Sequence, residues 1–307
     1  MPARSRFCLL CLFLTLATWP AFAQQTCQPP PVPTVPRAQG VLTVEQEHAL
    51  GEAIAAQVER NYLVIEDHPV ADQLRRIGQR IAEHVPDPSF RFTFNLVDIP
   101  IVNAFTLPGG RIYVTRKLVA LSRTEDELAG VLGHEIGHNV THEMGERYSS
   151  LFRKILKVSE FGDRDSVVEM YHEYLENRAR NRKAHQTGDR EQGQQDADAI
   201  GLYLMLRAGY APQALVDFWD RLAETKGKTG NWFTDFLGTT APESRRLREM
   251  IKTGRGLPPG CRLAPPANPT SEYETWKKEV IAYSGLGRQE RLPGRLTSTH
   301  LDPPLQS

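Results

Sequence analysis

The chain has 307 residues, with 37 Lys and Arg set against 37 Asp and Glu, so its formal net charge is zero. That length allows one large domain or two small ones. Even charge without a basic stripe argues against a nucleic-acid partner, and negative mean hydropathy with no second long apolar run argues against an integral membrane protein.

In chain order, the first residues read as an export signal. Arg4 and Arg6 give a positive start, and Phe7 to Leu16 form an apolar core of about ten residues, short for a bilayer span. Ala21-Phe22-Ala23 supplies a cleavage site, so the mature chain is expected to begin at Gln24. An uncleaved anchor is the competing reading, and peripheral membrane association stays open. Cys8 and Cys11 fall inside the signal. Cys27 and Cys261 remain and are the candidates for one disulfide, which suits the periplasm or the cell exterior.

Residues 24–42 carry Pro29, Pro30, Pro31, Pro33 and Pro36 and read as a stiff extended linker. Thr43 to Tyr62 reads as a helix: Thr43 caps it, Gln46 completes the box, and Leu50, Ile54 and Val58 repeat every four residues. Val70 to His84 reads as a second helix, ended by Pro86 and Pro88. Phe90, Phe92 and Phe94 alternate with Arg91 and Thr93 as in a half-buried strand. Asn103 to Leu107 and Arg111 to Thr115 are two further strands around a Pro108-Gly109-Gly110 turn.

A helix with Leu128, Val131, Leu132 and Ile136 on its buried face then carries His134-Glu135-Ile136-Gly137-His138. Two histidines four apart stand one turn above the other, so both imidazoles reach one metal ion. Glu135 faces the same cleft, where it can take a proton from an activated water. The pattern points to a zinc-dependent peptidase. Gly130, Gly133 and Gly137 lower helix propensity, which signals another element packed closely against this one. Residues 151–195 are charged and read as a solvated helical insertion, in which His172-Glu173 is incidental. Asp196 to Met205 and Ala214 to Leu222 are buried helices, and an amphipathic piece runs from Glu272 to Tyr283. The expected organisation is a signal over 1–23, a linker over 24–42, a zinc metallopeptidase domain over 43–255, and a Pro- and Gly-rich tail over 256–307. The fold class is α+β: mostly helical, with a small sheet beside the motif helix.

The run from Asn103 to Thr115, the stretch from Glu125 to His138, and downstream Ala197-Asp198, Ala208-Gly209-Tyr210 and Thr240-Ala-Pro242 with Arg246 together resemble the HtpX, CaaX-prenyl-endopeptidase and BepA group of zinc metallopeptidases. The resemblance covers roughly residues 43–252. It implies one zinc ion per chain held by His134 and His138, with Glu135 as general base. It further implies an edge strand at Asn103, Ala104 and Phe105 that pairs with substrate backbone, and Asp198 supporting a histidine from behind. The implied substrates are unfolded or misfolded proteins, with quality control of the cell envelope as the setting. The group's third ligand is a glutamate four residues before the aspartate, where this chain has Gln194. Gln194 is the candidate by position and Glu191 by chemistry, since a neutral amide binds zinc less well than a carboxylate. Glu143 and Ala241 stand where the group has histidines. These departures keep a second reading open, a metal-poor pseudo-peptidase that binds unfolded chains without cleaving them.

Overall fold

The computed structural model describes residues 27–66, 69–180, 190–229, 244–258, 261 and 269–283. Helix α1 (Val44–Asn61) starts at the capping box of Thr43 and Gln46. Strand β1 (Leu63–Ile65), a single 3₁₀ turn (Pro69–Ala71) and α2 (Asp72–Ala82) follow. Strands β2 (Thr93–Asp98), β3 (Ala104–Leu107) and β4 (Arg111–Thr115) complete a mixed sheet of order β1-β2-β4-β3. β2 and β4 are parallel, and β1 and β3 are antiparallel to their neighbours. The remaining helices are α3 (Arg116–Leu121), α4 (Glu125–Val140), α5 (Glu143–Leu156), α6 (Arg164–Arg180), α7 (Arg190–Arg207), α8 (Gln213–Thr229), α9 (Ser244–Gly256) and α10 (Ser271–Ala282). The protein is therefore mostly helical with one small sheet.

The sheet separates two cores because strand side chains alternate between faces. On β4, Ile112 and Val114 join Leu74, Leu96, Leu132, Ile200 and Phe218 in the larger core. Tyr113 points the other way, into a second core with Leu50, Ile54, Phe105, Phe152 and Tyr171. The larger core holds α4 between the sheet side and α7. α4 is buried along nearly its whole length. A Cβ at Gly137 would lie 2.5 Å from the Ala197 carbonyl oxygen, and one at Gly201 would lie 2.9 Å from the His134 nitrogen. The helix glycines therefore let the α4 and α7 backbones touch, which fixes the histidines of one helix against residues 194–198 of the other.

Several expectations need correction. The alternation at Phe90 and Phe92 precedes the strand, which starts at Thr93; Phe92 is buried by packing, with its backbone outside the ladder. Residues 151–180 are not a solvated insertion: Leu151 and Phe152 on α5, and Val167, Tyr171 and Tyr174 on α6, close the second core against α1. β1 and α3 have no counterpart among the expected elements. The segment read as a linker is docked, with Val32 and Leu42 both buried. α10, in the stretch read as tail, lies on α3, where Arg116 donates to the carbonyls of Val280 and Ile281, and on the 3₁₀ turn, where Trp276 Nε1 donates to the Val70 carbonyl (2.6 Å).

Candidate metal centre

The site is assembled on α4. Thr124 caps the helix by accepting from the Glu127 N–H, and Glu125, Asp126 and Glu127 suit its positive end. Two turns further on, His134 and His138 lie with ring centroids 4.5 Å apart and edge to face. Their Nε2 atoms are 3.1 Å from each other.

Each ring is held from behind by a carboxylate. His134 Nδ1 lies 2.9 Å from Asp198 Oδ1 on α7, and His138 Nδ1 contacts Glu143 Oε2 at the start of α5. An ionised carboxylate only accepts, so each ring donates from Nδ1 and turns an Nε2 lone pair toward the other. Two lone pairs facing at that distance repel unless a cation stands between them, and a proton or a metal ion can fill that place. Ligand nitrogens on a tetrahedral zinc are about 3.4 Å apart, given Zn–N near 2.05 Å, so the pair is close to the separation that zinc requires. The donor set thus fits zinc.

Gln194, the candidate by position for a third donor, lies beside the pair. Its side chain is buried, and Nε2 lies 3.2 Å from His138 Nε2. Turning the terminal amide by a half rotation brings Oε1, the donor a metal would need, to the same place. Glu191 lies on α7, but its side chain falls outside the described residues, as does Ala241. Among the described residues, no three of His, Cys, Asp and Glu gather as a metal-holding set.

Glu135 is buried, and its Oε2 has no hydrogen-bond partner. Burial pushes its carboxyl from 4.5 up to about 7, against the pull of His138 and Arg246. Burial likewise lowers His134 to about 4, outweighing the attraction of Asp198. Burial also acts to lower His138, but the Glu143 carboxylate outweighs it and the ring is raised. Asp198 would be raised by burial, yet Arg246 and His134 hold it down to about 2. Arg246 on α9 donates to Asp198 from Nε and Nη2, the latter at 2.9 Å; the same Nη2 lies 3.4 Å from His134 Nε2, and the guanidinium stacks 4.7 Å over the Trp219 ring.

A small pocket of about 30 Å³, enough for one or two waters, opens beside Glu135. Val102, Asn103 and Ala104 form one wall, and Phe218, Trp219 and Leu222 form another. Of the expected edge residues, Asn103 and Ala104 face this cleft, whereas Phe105 points into the second core and stacks on Tyr113. β3 is indeed at the edge of the sheet, and Thr106 ties it to α4 by accepting from Asn139 Nδ2 (2.5 Å). Cys27 and Cys261 are joined by a disulfide. Glu143 was marked in the sequence only as a departure from the resembled group, without its contact to His138, and the reach of Trp219 had no signal there. Arg246 was visible only as part of a resemblance.

Comparison with known proteins agrees in kind. Residues 70–254 match the sequence model of peptidase family M48. The chain is 25% identical over 232 residues to the beta-barrel assembly-enhancing protease of Escherichia coli K12, covering 74% of this chain and 47% of that one. It is 27% identical over 205 residues to the mitochondrial metalloendopeptidase OMA1 of Saccharomyces cerevisiae, covering 60% and 56%. With OMA1 of Arabidopsis thaliana it shares 32% over 159 residues, covering 51% and 30%. The chain spans about half the length of the curated relatives it matches.

Proposed function

The chain belongs to peptidase family M48, and from that premise we propose that it is an exported zinc-dependent endopeptidase that cuts unfolded polypeptides, in the quality control of envelope proteins. The observation that carries this reading is the pair of converging Nε2 atoms next to a buried Glu135 carboxylate with a free oxygen. His134, His138 and Gln194 would hold the metal. A zinc ion bound there would supply Lewis acidity to a peptide carbonyl and to a bound water.

The chain's own groups do the rest. Glu135 takes the proton of the attacking water and passes it to the leaving amine nitrogen. Asp198 and Glu143 keep the imidazoles donating from Nδ1. Asn103 exchanges bonds with Thr115, so strand alternation turns the backbone of Ala104 toward the open edge, where an extended substrate can pair. The disulfide supports an oxidising compartment, and a relative named for beta-barrel assembly supports the envelope setting. Among the described residues, no helix is long and apolar enough to cross a membrane.

The test is Glu135→Gln. Cleavage of an unfolded protein such as casein should fall at least a hundredfold, while zinc content and melting temperature stay at wild-type values. Undiminished cleavage by the variant would remove Glu135 from the reaction. Gln194 favours a second reading, a pseudo-peptidase that binds without cutting; a wild-type protein free of zinc and inactive on casein, yet retaining it, would establish that one instead.

A further inference from the structure

The setting of Glu143 goes beyond keeping His138 donating from Nδ1. The residue opens α5, directly after His142, whose φ of 58° is in the left-handed region. A non-glycine residue there is uncommon and costs about 1 kcal/mol. The turn it makes folds the chain back so that Glu143, five residues after His138, meets the Nδ1 of that ring. Its carboxyl is four-fifths buried.

The opposite wall is α7. A Cβ at Gly193 would lie 2.6 Å from Glu143 Oε2, so the carboxylate occupies space that only a glycine at that position leaves open. Gly193 immediately precedes Gln194. The Glu143 carboxylate therefore packs against the residue before Gln194 and holds the Nδ1 side of the ring whose Nε2 lies 3.2 Å from the Gln194 amide.

Charge makes the juxtaposition meaningful. Asp198 already spends its charge on both arms of the Arg246 guanidinium. With an amide at 194, a metal ion between the histidines would face only neutral donors. Glu143 is the carboxylate placed to correct this, because a negative group hydrogen-bonded to Nδ1 makes the opposite nitrogen a stronger donor.

We propose that Glu143 is a positioning residue that holds His138 and supplies, from behind the ring, the negative charge that Gln194 lacks. The carboxylate stands one layer out from the facing Nε2 atoms, and Gly193 makes room for it. This rests on the zinc-peptidase reading above.

The experiment measures zinc affinity, not activity, on the full mature chain by competition with a chromophoric chelator. Four proteins suffice: wild type, Glu143→Gln, Gln194→Glu, and the double variant. Wild type should bind one zinc. Glu143→Gln should weaken binding about 10- to 100-fold, Gln194→Glu should tighten it, and in the double variant the new carboxylate should restore at least wild-type affinity. A purely structural role for Glu143 predicts additive effects, whereas charge compensation predicts that Gln194→Glu tightens binding more in the Glu143→Gln background than in wild type. If Glu143→Gln does not fold, Glu143→Asp, which withdraws the carboxylate by one methylene, should fall between wild type and the expected loss. A zinc-binding wild type whose affinity changes less than twofold in Glu143→Gln, or is unchanged in Glu143→Asp, overturns the proposal alone. Failure of the rescue also overturns it alone. A wild type that binds no zinc overturns both the proposal and the peptidase reading.

Discussion

Arg246 is the cation on which the polar side of the site depends. Asp198 is 1% exposed, and its two oxygens are divided between Arg246 and His134. Removing the guanidinium leaves a buried carboxylate with an imidazole as its remaining neighbour. Breaking a buried pair in this way costs about 3–5 kcal/mol. Arg246→Met should therefore lower stability by that order in denaturant titration, more than the double variant Arg246→Met with Asp198→Asn, which removes the stranded charge as well. A loss below about 1 kcal/mol for the single variant would mean that water or another group compensates Asp198. At this scale the sequence was legible where geometry is local. The i, i+4 spacing alone brings the His134 and His138 rings together. The Arg246–Asp198 pair joins residues 48 apart, and Glu143 reaches His138 only through a left-handed turn at a histidine. Neither follows from spacing or composition.

Among the elements, α1 contributes one group that its local pattern does not explain. Glu47 lies fully buried under the start of α5, with both oxygens unpartnered by hydrogen bonds, and His142 Nδ1 is 4.0 Å away. Burial pushes its carboxyl from 4.5 up to about 8, against the pull of Arg37 and aided by repulsion from Glu146. The folded state thus keeps a proton that the unfolded chain gives up above about pH 4.5. Stability from this group is complete below that pH and is lost as pH rises to about 8, at up to about 1.4 kcal/mol per unit. Glu47→Gln removes this dependence. Its stability relative to wild type should improve by several kcal/mol between pH 5 and pH 8; a constant difference across that range would show that Glu47 is ionised in the folded protein. The same helix illustrates which elements could be read. Its capping box and four-residue repeat are local and strong. β1 has three residues, too few for an alternation, and α3 has six. α6 buries Val167, Tyr171 and Tyr174 fully, with Met170 and Leu175 partly buried beside them, so its many charges hid a narrow apolar face centred on i, i+4 and i+7.

For the whole molecule, the disulfide decides how much of the stability comes from outside the family domain. Cys27 and Cys261 both lie beyond the matched residues 70–254, and they close a loop with a separation of 234. Around them Leu206, Leu257 and Tyr203 form a small apolar cluster, and Arg207 donates to the carbonyls of Pro29 and Pro30. The bridge thus pins the proline-rich segment to the far end of α7, on the helix that also carries Gln194 and Asp198. Chain-entropy arguments assign a loop of this length about 5 kcal/mol, which for a domain of this size is on the order of 10 °C in melting temperature. The histidines and Glu135 are held by α4 and α7 packing, not by the bridge. Cys27→Ser together with Cys261→Ser should therefore melt earlier by about that amount, yet bind zinc with wild-type affinity at low temperature. Reduction of the wild-type protein, verified by thiol titration, should reproduce the same shift. An unchanged melting temperature after complete reduction would place the stabilisation in the apolar cluster alone, and a loss of zinc affinity would show that the far end of α7 sets the position of Gln194.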